Sequence, residues 1–226
     1  MVPFFFIYEK LYIIESEKKI GRSFMEKFFN ALSKPAKWIF IIGGLFYATW
    51  FIIENALSID GQFVSVIRGL VVLSIGAILI AGAPILVICR KDEAAKMVFL
   101  FLLGYWVLNS AQAFLGNAEA FTDSNEGLAI ASGIFALIAG LGLAAIIVLV
   151  ALEFIFKFKA LRFIAFLVML GVIVFGFLAA LLVAIYAGTR NVFWPNGVQL
   201  LIEWMILPVV VLFGYIYFLG APKKNK

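Results

Sequence analysis

Apolar residues fill six long runs of this chain, and charged residues collect in the short stretches between them. The runs are Lys37–Glu54, Val64–Cys89, Met97–Gly116, Gly127–Leu152, Phe163–Gly188 and Val198–Gly220. A helix that crosses a bilayer needs about 20 mostly apolar residues, and each run is close to that length. Spanning β-strands would instead show segments of about 10 residues with apolar and polar positions alternating. These runs are apolar on every face, so the pattern predicts helices. The expected fold is all-α: a polytopic six-helix transmembrane bundle.

Composition sharpens the choice of solvent. Apolar residues make up 65% of the 226, with a mean hydropathy of +1.12. A soluble domain carries roughly 45–50% apolar residues, and a chain this short has no core large enough to hide the excess. The lipid bilayer is therefore the first partner. The net charge of +5 does not point to nucleic acid, because the basic residues sit at helix ends rather than along one stripe.

Those basic residues set an orientation, since loops on the cytoplasmic side collect Lys and Arg. With the amino terminus inside, Lys27, Lys34, Lys37, Arg90, Lys91, Lys96, Lys157, Lys159, Arg162, Lys223, Lys224 and Lys226 fall on one side, twelve in all from Met25 onward. Only Arg68 and Arg190 fall on the other, where the loop Asn117–Glu126 carries Glu119, Asp123 and Glu126. The expectation is N-in/C-in, in a cell membrane. Trp38 and Trp50 flank the first span as interfacial anchors do.

Residues 1–24 read as a leader of a different kind. The apolar stretch Val2–Tyr8 is too short to span, and no basic segment precedes it as in a signal peptide. Gly21-Arg22-Ser23 can be encoded GGA-AGG-AGT, a bacterial ribosome-binding site just ahead of a start at Met25. The expectation is that translation starts at Met25 in a bacterial source, which the intact mass of the natively expressed protein tests. From Met25, Phe28, Phe29 and Leu32 alternate with Lys27 and Lys34 as in a short helix lying in the interface. Pro35 is expected to end that helix.

Small residues mark close helix contacts in lipid. Gly69, Gly76 and Ala83 recur at seven-residue spacing in the second span, as do Gly133 and Gly140 in the fourth, and the fifth holds Gly171, Gly176, Ala179, Ala180, Ala184 and Ala187. Such a repeat keeps one face toward a neighbour at a shallow crossing. Spans two, four and five are thus expected at the centre, with the aromatic-rich first and sixth outside. Pro84 and Pro208 lie inside spans and are expected to kink them.

Charges inside spans are costly and point to function. Glu203 lies about 7 Å below the outer end of the sixth span, with Gln199 one turn above it. Asn109 and Gln112 lie in the outer half of the third, and Arg190 and Arg68 sit at the outer ends of the fifth and second. Together they predict an outward-facing polar pocket that binds a ligand, with Arg190 or Arg68 pairing Glu203. The inner halves look nearly free of polar side chains.

The absences narrow the chemistry. There is no histidine, which excludes Ser-His hydrolysis and histidine metal sites, and one cysteine, Cys89, which excludes an intrachain disulfide. Asp92 and Glu93 are adjacent, and helix neighbours do not face one way. No Walker A loop occurs, so any use of ATP needs a cytoplasmic ATPase as partner. No catalytic residue, metal site or cofactor is expected, and the chain does not read as an enzyme. The leading function is a small solute-transport component or permease subunit, with other membrane subunits or a cytoplasmic ATPase as partners; a non-transporting accessory membrane protein is second and an intramembrane enzyme third.

Overall fold

The structure, a computed structural model, describes residues 3–57, 63–122, 126–156, 159–189 and 194–220, with side chains described at 27–57, 65–67, 69–119, 126–156, 160–186 and 205–220. Six α-helices follow one another: α1 (Pro3–Leu57), α2 (Phe63–Ile88), α3 (Asp92–Thr122), α4 (Gly127–Phe156), α5 (Lys159–Thr189) and α6 (Trp194–Tyr215). A π-helical turn, Ile216–Gly220, closes α6. No strand occurs among the described residues. The fold is the all-α bundle that the apolar runs predict.

Among the described residues, five helices are long and apolar enough to cross a membrane, and only about a third of each spanning stretch is buried inside the bundle. The rest presents Ile, Leu, Val and Phe outward, which only lipid can cover. The sixth, described in its side chains from Met205, is apolar over that stretch and belongs to the same bundle. The protein is an integral membrane protein.

The helices form a ring. Each packs on its neighbours in sequence, and α6 closes the circle by packing on α1 as well as α5. The α4–α5 pair is the most extensive contact, and α4 shows why. Ala129, Ser132, Ala136, Ala139, Leu143, Ile146 and Glu153 are buried at alternating three- and four-residue steps, interrupted only at the half-buried Val150. That is the heptad pattern of a helix seam. Ala165, Met169, Val172, Gly176 and Ala179 continue it on α5, and Ser132 Oγ donates to the carbonyl of Ala179 at 3.1 Å across the seam.

The expected centre is corrected in part. Spans four and five do form a tight pair, but α2 packs on α1 and α3 and shows most of its surface outward. The more enclosed element is α6: Leu207, Pro208, Val210, Val211, Leu212, Gly214 and Tyr215 are all buried. Its aromatic content belongs to an interlock rather than to a periphery. A Cβ at Gly214 would fall on the rings of Phe99 and Phe40, and one at Gly220 on Phe29. Gly43 and Gly44 likewise let Val210 and Pro84 approach α1.

Pro35 does not end a separate helix. The chain runs on through it, as it runs through Pro84 and Pro208. Phe29 is 3% exposed, packed with Phe28 edge-on against Phe163 and Phe166 of α5. Burial against aromatic partners, not lipid, holds this stretch in line with the first span. The side chains of residues 1–24 lie outside the described residues.

A tight turn joins α2 to α3. Arg90 takes a left-handed φ of 58°. Lys91 N–H donates to the Leu86 carbonyl at 2.8 Å and Arg90 N–H to that of Val87 at 3.1 Å, a helix-ending pair of bonds that ordinarily favours glycine at position 90. Asp92 and Glu93 then open α3, where carboxylates suit the helix dipole.

Candidate functional site

Two polar arrangements interrupt the apolar bundle, one at mid-height and one at the end where α2 meets α3. The first is a cleft of about 100 Å³ lined by Tyr47, Trp106, Asn109, Ser110, Ala113, Phe114, Val172, Leu207 and Pro208. Trp106, Asn109, Val172, Leu207 and Pro208 all lie within two residues of the midpoints of α3, α5 and the α6–π segment. The cleft therefore sits near the middle of the membrane thickness, where four helices converge.

Local sequence explains why a cleft forms there. Pro208 lacks a backbone N–H, so the carbonyl one turn before it, at position 204, loses its helical donor. Asn109 and Ser110 add an amide and a hydroxyl from α3, and neither has a hydrogen-bond partner among the described residues. The rest of the wall is aromatic or aliphatic, and none of the lining residues is charged. Such a site suits a compact ligand with an apolar body and one or two hydrogen-bonding groups. Typical sites for larger organic ligands span roughly 300–1,000 Å³, so the cleft in this form holds waters or a small solute.

Of the residues that sequence placed in a pocket, Asn109 lines this cleft. Gln112 lies on the same helix, exposed and outside the lining. The side chains of Glu203, Gln199, Arg190 and Arg68 lie outside the described residues. The register of α6 nevertheless sets positions 199, 203 and 207 one turn apart along one face, and Leu207 lines the cleft. Tyr47, Trp106 and Ser110 were missed. Ser110 adjoins Asn109 in sequence, while Tyr47 and Trp106 carry no local signal that separates them from other aromatic positions.

The second arrangement gathers at the span ends, just outside the apolar runs. Glu153 on α4, 6% exposed, is ion-paired with Arg162 on α5, whose Nε donates to Glu153 Oε1. Tyr215 of α6, fully buried, donates its hydroxyl to the Arg162 carbonyl at 3.2 Å. Glu153 Oε2 has no hydrogen-bond partner among the described residues. Beside this cluster, Tyr217 donates to Asp92 Oδ1 at 3.1 Å, and Lys37 Nζ lies 5.9 Å from the centre of the Tyr217 ring. Four connections between helices thus converge on one end of the bundle. The signal for Glu153 was present, since it stands seven residues beyond Ile146 and fourteen beyond Ala139 on the buried seam of α4.

Among the described residues no group of acidic, cysteine or histidine side chains has the arrangement to hold a metal ion. Comparison with protein-family models, curated proteins and solved structures finds no match.

Proposed function

We propose that this protein is a small solute-handling component of a cell membrane, a transporter or permease subunit, with its ligand site at the mid-height cleft. The observation that carries the reading is the cleft itself: an amide, a hydroxyl and a proline within α6 brought together near the bilayer centre by α1, α3, α5 and α6. Polar side chains at that depth cost free energy unless they serve a partner or a ligand. Pro208 supports the reading only through the carbonyl it leaves without a helical donor, an acceptor that a ligand could use. Asn109 and Ser110 are read as the orienting groups, and Trp106 and Tyr47 as the aromatic walls. Glu203, Gln199, Arg190 and Arg68, whose side chains lie outside the described residues, are kept as further ligand-binding candidates on the strength of their place in the sequence.

The orientation that goes with this reading is N-in/C-in, supported by the twelve-to-two distribution of basic residues. Cys89, the single cysteine, is exposed at the α2–α3 turn. On this orientation a membrane-impermeant thiol reagent applied to intact cells leaves it unmodified and reaches it in inverted vesicles. The role is read as non-catalytic, and energy for uphill movement would come from a cytoplasmic ATPase or another subunit. The small volume of the cleft favours one competing reading, an accessory membrane protein that binds nothing but lipid and partner helices.

Native mass spectrometry of the protein gently extracted from its own membranes separates the two. A bound small molecule that is lost in Asn109→Ala and Glu203→Gln, or a co-purifying ATPase, supports the transport reading. A chain carrying only lipid, with a spectrum unchanged by both substitutions, replaces it with the accessory role.

A further inference from the structure

We propose that Glu153, Arg162 and Tyr215, together with Asp92 and Tyr217, form a latch that closes the mid-height cleft from the α2–α3 end, so that the cleft opens only toward the opposite side of the membrane. The proposal rests on the cleft being a pocket that water and small reagents can reach.

The latch acts on α6. Tyr215 ties this helix to α5 through the Arg162 carbonyl, and Tyr217 ties it to Asp92 at the start of α3. In a regular helix two such positions point about 200° apart, because each residue turns the chain by about 100°. They therefore reach neighbours on opposite sides, and the end of α6 is held between them. The second tyrosine lies in the π-helical turn, a segment with looser backbone geometry that recurs at functional sites. The ion pair in turn fixes the α4–α5 end on which Tyr215 leans.

What lies between latch and cleft is apolar. Tyr215 stands seven residues beyond Pro208, about 10 Å along the helix. Phe40, Phe99, Leu103 and Val211 fill that interval and are buried. No polar path leads from the cleft to this end through them, so the seal holds as long as α6 stays clamped. Toward the other side, α1 and α2 are the open walls among the described residues. None of the described residues of α1 beyond Ala48, or of α2 before Gly76, is buried.

The chemistry of the latch suits two arrangements. A buried ion pair adds little net stability compared with apolar packing, and its best-attested use is to fix a register or a switch. Glu153 keeps one carboxylate oxygen without a partner among the described residues, with the Tyr215 hydroxyl beside the same carboxylate. That hydroxyl is one donor facing two acceptors. A rotation of α6 that carries it from the Arg162 carbonyl to the Glu153 carboxylate leaves no donor stranded.

The test uses the full chain in sealed vesicles of both orientations, with Cys89→Ser as background and Ser110→Cys as the reporter in the cleft. The natural Cys89 chain identifies which vesicle face corresponds to the α2–α3 end. A membrane-impermeant methanethiosulfonate is the probe. The expected result is labelling of Ser110→Cys from the opposite face only. Adding Glu153→Gln or Tyr215→Phe should raise labelling from the Cys89 face by roughly tenfold, the population change that loss of ~1.4 kcal/mol of latch produces. Tyr215→Phe removes one hydroxyl and keeps the ring that fills the core, which guards against a misfolded variant. A monodisperse elution profile is required of each chain before it is scored. Labelling from both faces in the parent, or latch variants that leave the pattern unchanged, overturns the latch. A reporter unlabelled from either face overturns the pocket reading and the latch with it.

Discussion

The two halves of the bundle are built differently. Toward the α2–α3 turn, glycines receive aromatic rings: Gly214 takes Phe99 and Phe40, and Gly220 takes Phe29. Phe40, Phe99 and Phe218 pack on one another with ring centres 5.1–5.8 Å apart. Polar clasps bind the same end. In the opposite half α1 and α2 run out with no buried described residue past Ala48 or before Gly76, while α4 and α5 stay seamed along most of their length. Lipid is as apolar as these side chains, so association inside the membrane rests on close packing and hydrogen bonds. Among the described residues, the ends of α1 and α2 in that half are the stretches that face outward, and local opening is drawn from the least densely packed parts of a structure. The contrast assigns rigidity to one end and access to the other.

The sharpest way to break that contrast is to remove a ring from each environment. Phe99, fully buried in the interlock, should lose about 3–5 kcal/mol on truncation to alanine. Phe46, 58% exposed on the outer face of α1, should lose close to nothing, because its ring leaves lipid contacts that lipid itself replaces. Reversible unfolding in mixed micelles measures both. Equal losses would mean that the described packing does not set the stability of this end.

The ion pair offers a directional test. Arg162→Ala leaves the Glu153 carboxylate enclosed without its cation and should cost about 3 kcal/mol, at the lower edge of what breaking a buried pair costs. Glu153→Gln should cost clearly less, because the Arg162 side chain is 31% exposed and its charge can turn toward the headgroups. The same unfolding assay checks the order. If Glu153→Gln proves the more damaging, the carboxylate rather than the guanidinium holds the end together, and the latch is wired through Glu153.

How much of this was legible in the sequence depends on what each residue type signals. Six apolar runs gave six helices, because length and hydropathy are local properties that the bilayer itself selects. The seam of α4 was legible in Gly133 and Gly140, since both faces of the heptad survive in the fold. Glu153 was not read as part of it. A charge at the end of an apolar run looks like the boundary of the span, although the seven-residue step from Ile146 placed it on the seam. The buried state of α6 was hidden for a related reason: aromatic content suits lipid and interlock alike, and only the glycines opposite the rings tell them apart. In the cleft, Asn109 announced itself as a polar residue inside a span, but Tyr47 on α1 and Pro208 on α6 meet it only through tertiary packing.

Glycine substitutions sharpen the comparison at smaller cost. Gly214→Ala drives a methyl group into two buried rings that have no room to yield, and overpacking of this kind costs about 1–3 kcal/mol. Gly76→Ala also meets a ring, that of Phe51, but this ring is only half-buried at the loosely packed side and can swing toward lipid. It should cost less. Gly116→Ala meets nothing within 4 Å and should be neutral or slightly stabilising, since alanine holds a helix better than glycine does. Thermal stability of the three variants in one detergent ranks them, and a loss at Gly76 as large as that at Gly214 would erase the difference between the halves.

The smallest effect tests whether the α4–α5 seam is the fixed wall against which the looser helices move. Ser132 is 1% exposed, and its hydroxyl donates to the Ala179 carbonyl. That carbonyl lies inside α5, where the helix already supplies a backbone donor, so the hydroxyl adds a second bond to an acceptor that is satisfied without it. Ser132→Ala should therefore cost only about 0.6 kcal/mol, the average found for hydrogen bonds between membrane helices. Ser132→Leu changes volume instead of bonding, and it pushes the two helices apart where Ala129, Ala136 and Ala179 bring their backbones close. If the seam is held by small-residue packing, the leucine variant is far worse than the alanine variant. If the two are alike, the hydrogen bond carries the contact, and the wall is weaker than the heptad of small residues implies.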